Sequence, residues 1–182
     1  VSPNLTPRMS EYVVWQVLDH HRFGSRYRSL QQDRVWDEIR EQASADEMTV
    51  GIMGLGELGR DSATKLKALG FNITGWSRRP QNVDGVTCYA GSDGFGDFLG
   101  SADIFVVLLP LTDATRGILN RETFRRMTKR GPLGAPVLIN AGRGGLQVEA
   151  DIIAALDDGL LSAVSLDVFE TEPLPKESPL WT

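Results

Sequence analysis

The stretch "MTVGIMGLGELGRDSATKLKALG", Met48 to Gly70, decides how the rest of the chain is read. Its opening, "MTVGIMGLG", is a short apolar strand running into glycines. "ELGRDSATKLKALG" then reads as a helix closed by Gly70, because a glycine just past the last turn accepts the backbone that ends a helix. Gly54, Gly56 and Gly59 have the G-x-G-x-x-G spacing. With 19 glycines in the chain, spacing alone carries little; a strand before it and a helix after it give the pattern its mechanism. Gly54 permits the tight turn, Gly56 lets the backbone approach a pyrophosphate, and Gly59 lets the helix pack on the strand. Leu55, Glu57 and Leu58 complete the loop, whose free N–H groups favour phosphate oxygens. The competing reading is a glycine-rich turn with no ligand.

"FNITGWSRRP", Phe71 to Pro80, supplies a second strand with an unusual ending. In a dinucleotide-binding unit, an Asp or Glu about 20 residues beyond the glycines accepts hydrogen bonds from the adenosine ribose. Ser77 lies 18 residues beyond Gly59 (77 − 59), and no acid occurs from Phe71 to Gln81. A carboxylate there would repel a 2′-phosphate. A serine with Arg78 and Arg79 beside it accepts one through charge-assisted, bidentate hydrogen bonds. The site reads as built for NADP(H) rather than NAD; the alternative is a pair of arginines that only solvate a loop.

Strands and helices alternate from Met48 onward. "VTCYA", "DIFVVLLP", "APVLINAG" and "SAVSLDVF" read as further strands, separated by helices in "SDGFGDFLGSA", "RETFRRM" and "VEADIIAALDDG". Apolar strands between amphipathic helices indicate an α/β, Rossmann-type doubly wound parallel sheet. Before it, "SEYVVWQVLDHH" reads as a helix capped at Ser10, and "SLQQDRVWDEIREQ" as more polar helix. The expected organisation is a helical arm over 1–46, a dinucleotide-binding domain over 47–172, and an exit segment over 173–182.

Net charge is −5 with a pI near 5.1, which favours neither nucleic acid nor an anionic membrane as partner. Cys88 is the single cysteine, so no internal disulfide forms, and a reducing cytoplasm suits the chain. The longest apolar run, "IFVVLLPL", is far shorter than the ~20 residues of a membrane helix, and "VSPNLTPRMSEYVVWQVLDHH" has no signal-peptide pattern. No metal site is expected. The basic stretch "RRMTKRG" is explained by cations offsetting a helix macrodipole. The tryptophans, Trp15, Trp36, Trp76 and Trp181, read as packing or interface residues. A start at Val1 without methionine suggests that the original ends are missing.

"INAGRGG" places Arg143 just after the fifth strand, where open parallel sheets bind ligands. An arginine there can clamp a carboxylate and polarise an adjoining carbonyl. "SLDVFETEP" ends the sixth strand with Asp167, Glu170 and Glu172. Together with "GIMGLGELG", "LLPLTDATRGILN" and "SLDVFETEPLPKESPLW", these stretches resemble the D-2-hydroxyacid dehydrogenases, in their glyoxylate/hydroxypyruvate reductase branch, over nearly the whole chain.

The resemblance implies NADPH-dependent reduction of a small 2-oxo acid, glyoxylate to glycolate and hydroxypyruvate to glycerate. It implies that Arg143 binds substrate, that Glu172 is the acid paired with the catalytic histidine, and that Asp167 bonds the nicotinamide carboxamide. Leu109, Pro110 and Thr115, with Ala141 and Gly142, would line the cofactor trough. The helix beginning "MSEYVVWQVL" resembles a segment through which family members form dimers. The family's histidine belongs to a stretch beyond "SPLW", and the two histidines present, His20 and His21, match no such motif and read as surface residues. These residues are therefore expected to be a cofactor-binding part, with the substrate domain largely absent and little turnover alone. A dinucleotide-sensing regulatory module of the same superfamily is the alternative. A 6-phosphogluconate-type enzyme would need a helix bearing a catalytic lysine after the dinucleotide domain, and none is found.

Overall fold

A computed structural model describes residues 4–181; the start at Val1 and the end of the exit segment, Thr182, lie outside them. Six strands form one parallel sheet: β1 (Thr49–Met53), β2 (Asn72–Ser77), β3 (Val86–Ala90), β4 (Ile104–Val107), β5 (Val137–Asn140) and β6 (Ala163–Leu166). Their order is β3-β2-β1-β4-β5-β6, so the chain winds one way from β1 and then the other. That reversal between β1 and β4 is the switch point at which doubly wound sheets open a ligand crevice.

Side chains alternate across a strand, so a sheet covered on both faces needs apolar residues at successive positions. Ile104 and Val106 of β4 enter the core on one face, Phe105 and Val107 the core on the other. Val137 and Ile139 of β5 likewise oppose Leu138. One face is covered by α3 (Glu57–Ala68) through Ala63 and Leu66, and by α1 (Leu5–His21) through Val13 and Val17. The other is covered by α4 (Gly91–Leu99), α5 (Arg121–Arg126) and α6 (Glu149–Asp157), through Phe98, Phe124 and Ile152.

The expected arm divides in two. Val13 and Val17 are fully buried, and burying such a side chain is worth about 1.5–3 kcal/mol, so α1 belongs to the core layer. This helix starts five residues before the expected cap at Ser10. Pro7 is tolerated because a first-turn residue needs no N–H donor. Ser10 is buried within the helix, where its hydroxyl meets Asp61 and Lys65 of α3. The second helix, α2 (Gly24–Asp33), buries none of its residues, and Arg34, in the left-handed region at φ 56°, ends it. Residues 34–42, expected as helix, have no regular structure; without an apolar face to bury, helical propensity alone does not hold a helix this short.

Two further expectations are corrected. Arg125 and Arg126 do occupy the last turn of α5, but Lys129 lies beyond it and pairs at 2.7 Å with the buried carboxylate of Asp103. Removing one partner of such a pair costs about 3–5 kcal/mol, well above a dipole effect.

The histidines are not surface residues. His21 is 5% exposed and packs edge-on against Phe71. His20 meets the Ser165 hydroxyl on β6 at 2.8 Å, and Ser165 donates to Gln16 Oε1 at 2.7 Å. A hydroxyl has one proton, so with Ser165 donating to Gln16, His20 Nε2 is the donor to Ser165.

Burial is the main cause holding both histidine pKa values below the ordinary 6.5. The unfolded chain then takes up protons before the folded one, so stability is lost as pH falls below about 6.5. The melting temperature should drop between about pH 7 and pH 5, and the double variant His20→Gln/His21→Gln should flatten that slope. An unchanged slope would place the proton uptake elsewhere.

Candidate functional site

The three glycines of the phosphate loop occupy three different environments. Gly54 has φ +109°, and a Cβ on it would sit 3.0 Å from the Leu108 carbonyl oxygen. A Cβ on Gly59 would collide with the Gly54 carbonyl, so helix and strand approach as closely as backbone allows. A Cβ on Gly56 would meet nothing within 4 Å. Crowding on two sides and open space at the third is a cradle that a phosphate group fits. The helix N-terminus there has no side-chain cap, so its first N–H groups stay available for an anion. Thr6 of α1 donates to one oxygen of the Glu57 carboxylate at 3.0 Å, which ties α1 to the start of α3.

At the end of β2, the Ser77 hydroxyl donates to the Arg79 carbonyl at 2.7 Å, which tightens the turn. Arg78 and Arg79 are exposed, and their side chains have no hydrogen-bond or ion-pair partner among the described residues. Sequence reasoning passed over Arg60. Its Nε donates to the Leu55 carbonyl at 3.0 Å, and its Nη2 to Gln81 Oε1. The available signal was an arginine directly after the third glycine.

Across the switch point, Leu109 is nearly buried and Pro110 exposed. Thr115 Oγ1 donates to the Pro110 carbonyl at 2.7 Å and accepts from the Thr112 N–H at 2.8 Å, so it shapes that turn. After β5, Ala141 and Gly142 are buried, and a Cβ on Gly142 would lie 2.9 Å from the Leu109 carbonyl. Arg143 then emerges exposed, with Nη1 donating to the Gly142 carbonyl at 2.7 Å.

The loop carrying Arg143 is fastened by residues that the sequence did not single out. Asn140, fully buried, donates to Gln147 Oε1 at 2.8 Å and to the Arg143 carbonyl at 3.3 Å, and accepts from the Gly142 N–H at 3.0 Å. Gln147 donates to the Val168 carbonyl at 3.0 Å. Glu149 and Glu170 each accept the other's backbone N–H, at 2.7 and 2.8 Å. A Cβ on Gly144 would collide with the Phe169 carbonyl. Arg143 is thereby clamped beside the segment that bears Asp167, Glu170 and Glu172. A polar residue ending an apolar strand was the visible hint of Asn140; its partners are set by the fold.

Glu172 accepts the Phe169 N–H at 3.0 Å. Burial raises the Asp167 pKa, and the nearby Glu172 carboxylate raises it further. Tyr12 of α1 is pushed up to about 12, first by burial and then by Asp167, against a lowering by the Gln16 hydrogen bond. The rim at β6 is thus electronegative and favours a cation such as a protonated imidazole. His20 and His21 do not serve there, since one is engaged by Ser165 and the other by Phe71. Among the described residues, no cluster of His, Cys, Asp and Glu could hold a metal ion, and no helix is long and apolar enough to cross a membrane.

Comparison with known proteins agrees with this geometry. The chain is 41% identical over 177 residues to glyoxylate/hydroxypyruvate reductase A of Serratia proteamaculans; the match takes in 97% of this chain and 55% of that protein. It therefore spans about half the length of that curated relative. An NADPH-dependent glyoxylate/hydroxypyruvate reductase from Sinorhizobium meliloti, in apo form, superposes with a TM-score of 0.96 at 51% identity, over 100% of this chain and 70% of that one. The same enzyme in complex with NADP and sulfate gives 0.95 at 51% identity, over 100% and 57%. Residues 14–182 match the family model "D-isomer specific 2-hydroxyacid dehydrogenase, NAD binding domain". The chain belongs to the D-isomer specific 2-hydroxyacid dehydrogenases, and the matched residues are their NAD-binding domain.

Proposed function

We propose that these residues are the coenzyme-binding part of a cytoplasmic, NADPH-dependent reductase of small 2-oxo acids, acting on glyoxylate and hydroxypyruvate. The observation that carries the reading is the end of β2. Ser77 stands where an acid would serve a ribose hydroxyl, followed by two exposed, unpartnered arginines. The relative from Sinorhizobium meliloti, described as NADPH-dependent and seen with NADP, supports it. Residues 47–172 would form the dinucleotide-binding unit, and 173–182 would lead toward the substrate domain.

Bound coenzyme supplies a hydride for the carbonyl carbon. The chain's own groups bind and orient. The N–H groups of Leu55 to Gly59 and the start of α3 hold the pyrophosphate, and Arg78 and Arg79 hold the 2′-phosphate. Leu109, Pro110, Thr115, Ala141 and Gly142 line the trough, and Asp167 bonds the carboxamide. Arg143 clamps the substrate carboxylate and stabilises negative charge on the carbonyl oxygen. Glu172 orients a histidine supplied from outside these 182 residues and keeps its pKa high, so that it can give the proton.

The described chain has an exposed apolar patch on the arm: Trp36 is 98% exposed, and Val35 and Tyr27 line a cleft beside it. A protruding indole next to an apolar cleft can be self-complementary, which suits a two-fold contact between copies. The proposed assembly is a homodimer through this arm. Sedimentation should show a dimer that Trp36→Ser converts to monomer; an unaffected dimer would place the contact elsewhere.

Calorimetry on this chain should find NADPH bound at least about tenfold more tightly than NADH, equivalent to ~1.4 kcal/mol. Arg78→Ala/Arg79→Ala should erase the difference. Equal binding of both coenzymes by the unaltered chain, or of neither, refutes the reading. In the intact reductase, Arg143→Ala should lower kcat/KM for glyoxylate by about 10²–10³-fold while leaving NADPH affinity within about twofold. A loss confined to coenzyme binding would remove Arg143 from the substrate site.

A further inference from the structure

Two loops that must close on one coenzyme are joined by a single side chain. Arg60 lies directly after Gly59 in the first turn of α3. Its Nε reaches back to the Leu55 carbonyl in the phosphate loop, and its Nη2 reaches across to the Gln81 side chain, two residues past Arg79. On the near side, the Ser77 hydroxyl closes on the Arg79 carbonyl. The backbone carrying Arg78 and Arg79 is therefore pinned at both ends, to its own strand at Ser77 and to the phosphate loop at Gln81. The two guanidinium groups within that span stay free.

We propose that Arg60 is a positioning residue for coenzyme choice: through Gln81 it fixes the segment 77–81 relative to the phosphate loop, so that Arg78 and Arg79 face a 2′-phosphate without prior reordering. This rests on the NADP reading of the β2 end. The physical reason is preorganisation. Arginine side chains on an untethered loop lose backbone as well as rotamer freedom when they grip an anion, and a tether removes the backbone part beforehand. The task demands arginine. Its planar fork serves acceptors in two directions from one rigid group, whereas an ammonium at the end of a flexible stem does not hold that geometry. Gln81 contributes an acceptor without a charge, so it anchors the fork and adds no repulsion toward an incoming phosphate.

The test uses this chain with two small probes, adenosine 2′,5′-bisphosphate and adenosine 5′-monophosphate, read by calorimetry. They differ only in the group in question and require nothing of the nicotinamide end. The unaltered chain should prefer the bisphosphate. Arg60→Ala should weaken the bisphosphate by about five- to tenfold and leave the monophosphate within about twofold. Gln81→Ala, which leaves the phosphate-loop contact intact, should give a similar loss. The double variant should lose no more than either single one, as expected for two ends of one tether. Arg60→Lys should not restore the preference.

Each contrary result overturns the proposal in its own way. Rescue by lysine would make the effect one of charge alone. Loss with Arg60→Ala but not with Gln81→Ala would make Arg60 a direct phosphate contact. Equal weakening of both probes would confine Arg60 to the phosphate loop. Full preference in both variants, abolished only by Arg78→Ala/Arg79→Ala, would sink the tether and leave the NADP reading standing. No preference in the unaltered chain would sink both.

Discussion

Gly59 has no Cβ because one would run into the carbonyl oxygen of Gly54, and this backbone contact fixes the position of α3 against β1. Much of the ligand side of the molecule follows from that approach. It brings the N-terminus of α3 to the carboxyl edge of the sheet, where its free N–H groups face the space beside Gly56. It sets Ala63 and Leu66 against the β1 face of the core. It also places Arg60 within reach of both Leu55 and Gln81. A larger residue at position 59 would push helix and strand apart and open these relations together.

The opposite edge is organised by a polar ladder between α1 and β6. Gln16 and His20, one helical turn apart, both meet Ser165. One turn earlier, Tyr12 feels Asp167, two residues beyond Ser165 on the strand side. Four residues of helix rise about 6 Å and two residues of strand about 6.6 Å, so the two elements keep step along this seam. The helix that looked like an arm thus forms one wall beside the acidic rim. Burial lowers the His20 pKa, so the same burial that fastens the wall makes it sensitive to acid.

The sheet was legible because its central strands β4 and β5 are apolar at consecutive positions, as a two-sided core requires. The glycine spacing was legible because its order after a strand and before a helix leaves few alternatives, and the missing acid before Gln81 could be read by inspection. Features that depend on distant partners could not be read. Ser10 has the look of a cap, yet its partners are 51 and 55 residues away on α3. The histidines looked exposed because they stand near the C-terminus of a helix, where a cation is favoured; Ser165 and Phe71 decide otherwise. Lys129 looked like part of a basic run until Asp103 appeared beside it. The end of α2 was missed for a related reason. Residues 34–42 have adequate propensity, but the core offers them no surface.

The site shows the same division between chemistry and placement. Arg78, Arg79 and Arg143 were singled out from residue type and position; all three are exposed, and Arg143 alone is held by a hydrogen bond, from Nη1 to the Gly142 carbonyl. The groups that aim them are different in kind. Asn140 and Gln147 are buried amides whose donors and acceptors must all be matched, and that requirement locks the Arg143 loop onto the chain after β6. Glu149 and Glu170 extend the lock by accepting each other's backbone N–H. Glu172 accepts the Phe169 N–H in the same way, so Glu170 and Glu172 both fasten this segment, and Asp167 is the acid of the three without such a bond among the described residues. Beside them, burial raises the Asp167 pKa and the Glu172 carboxylate raises it further.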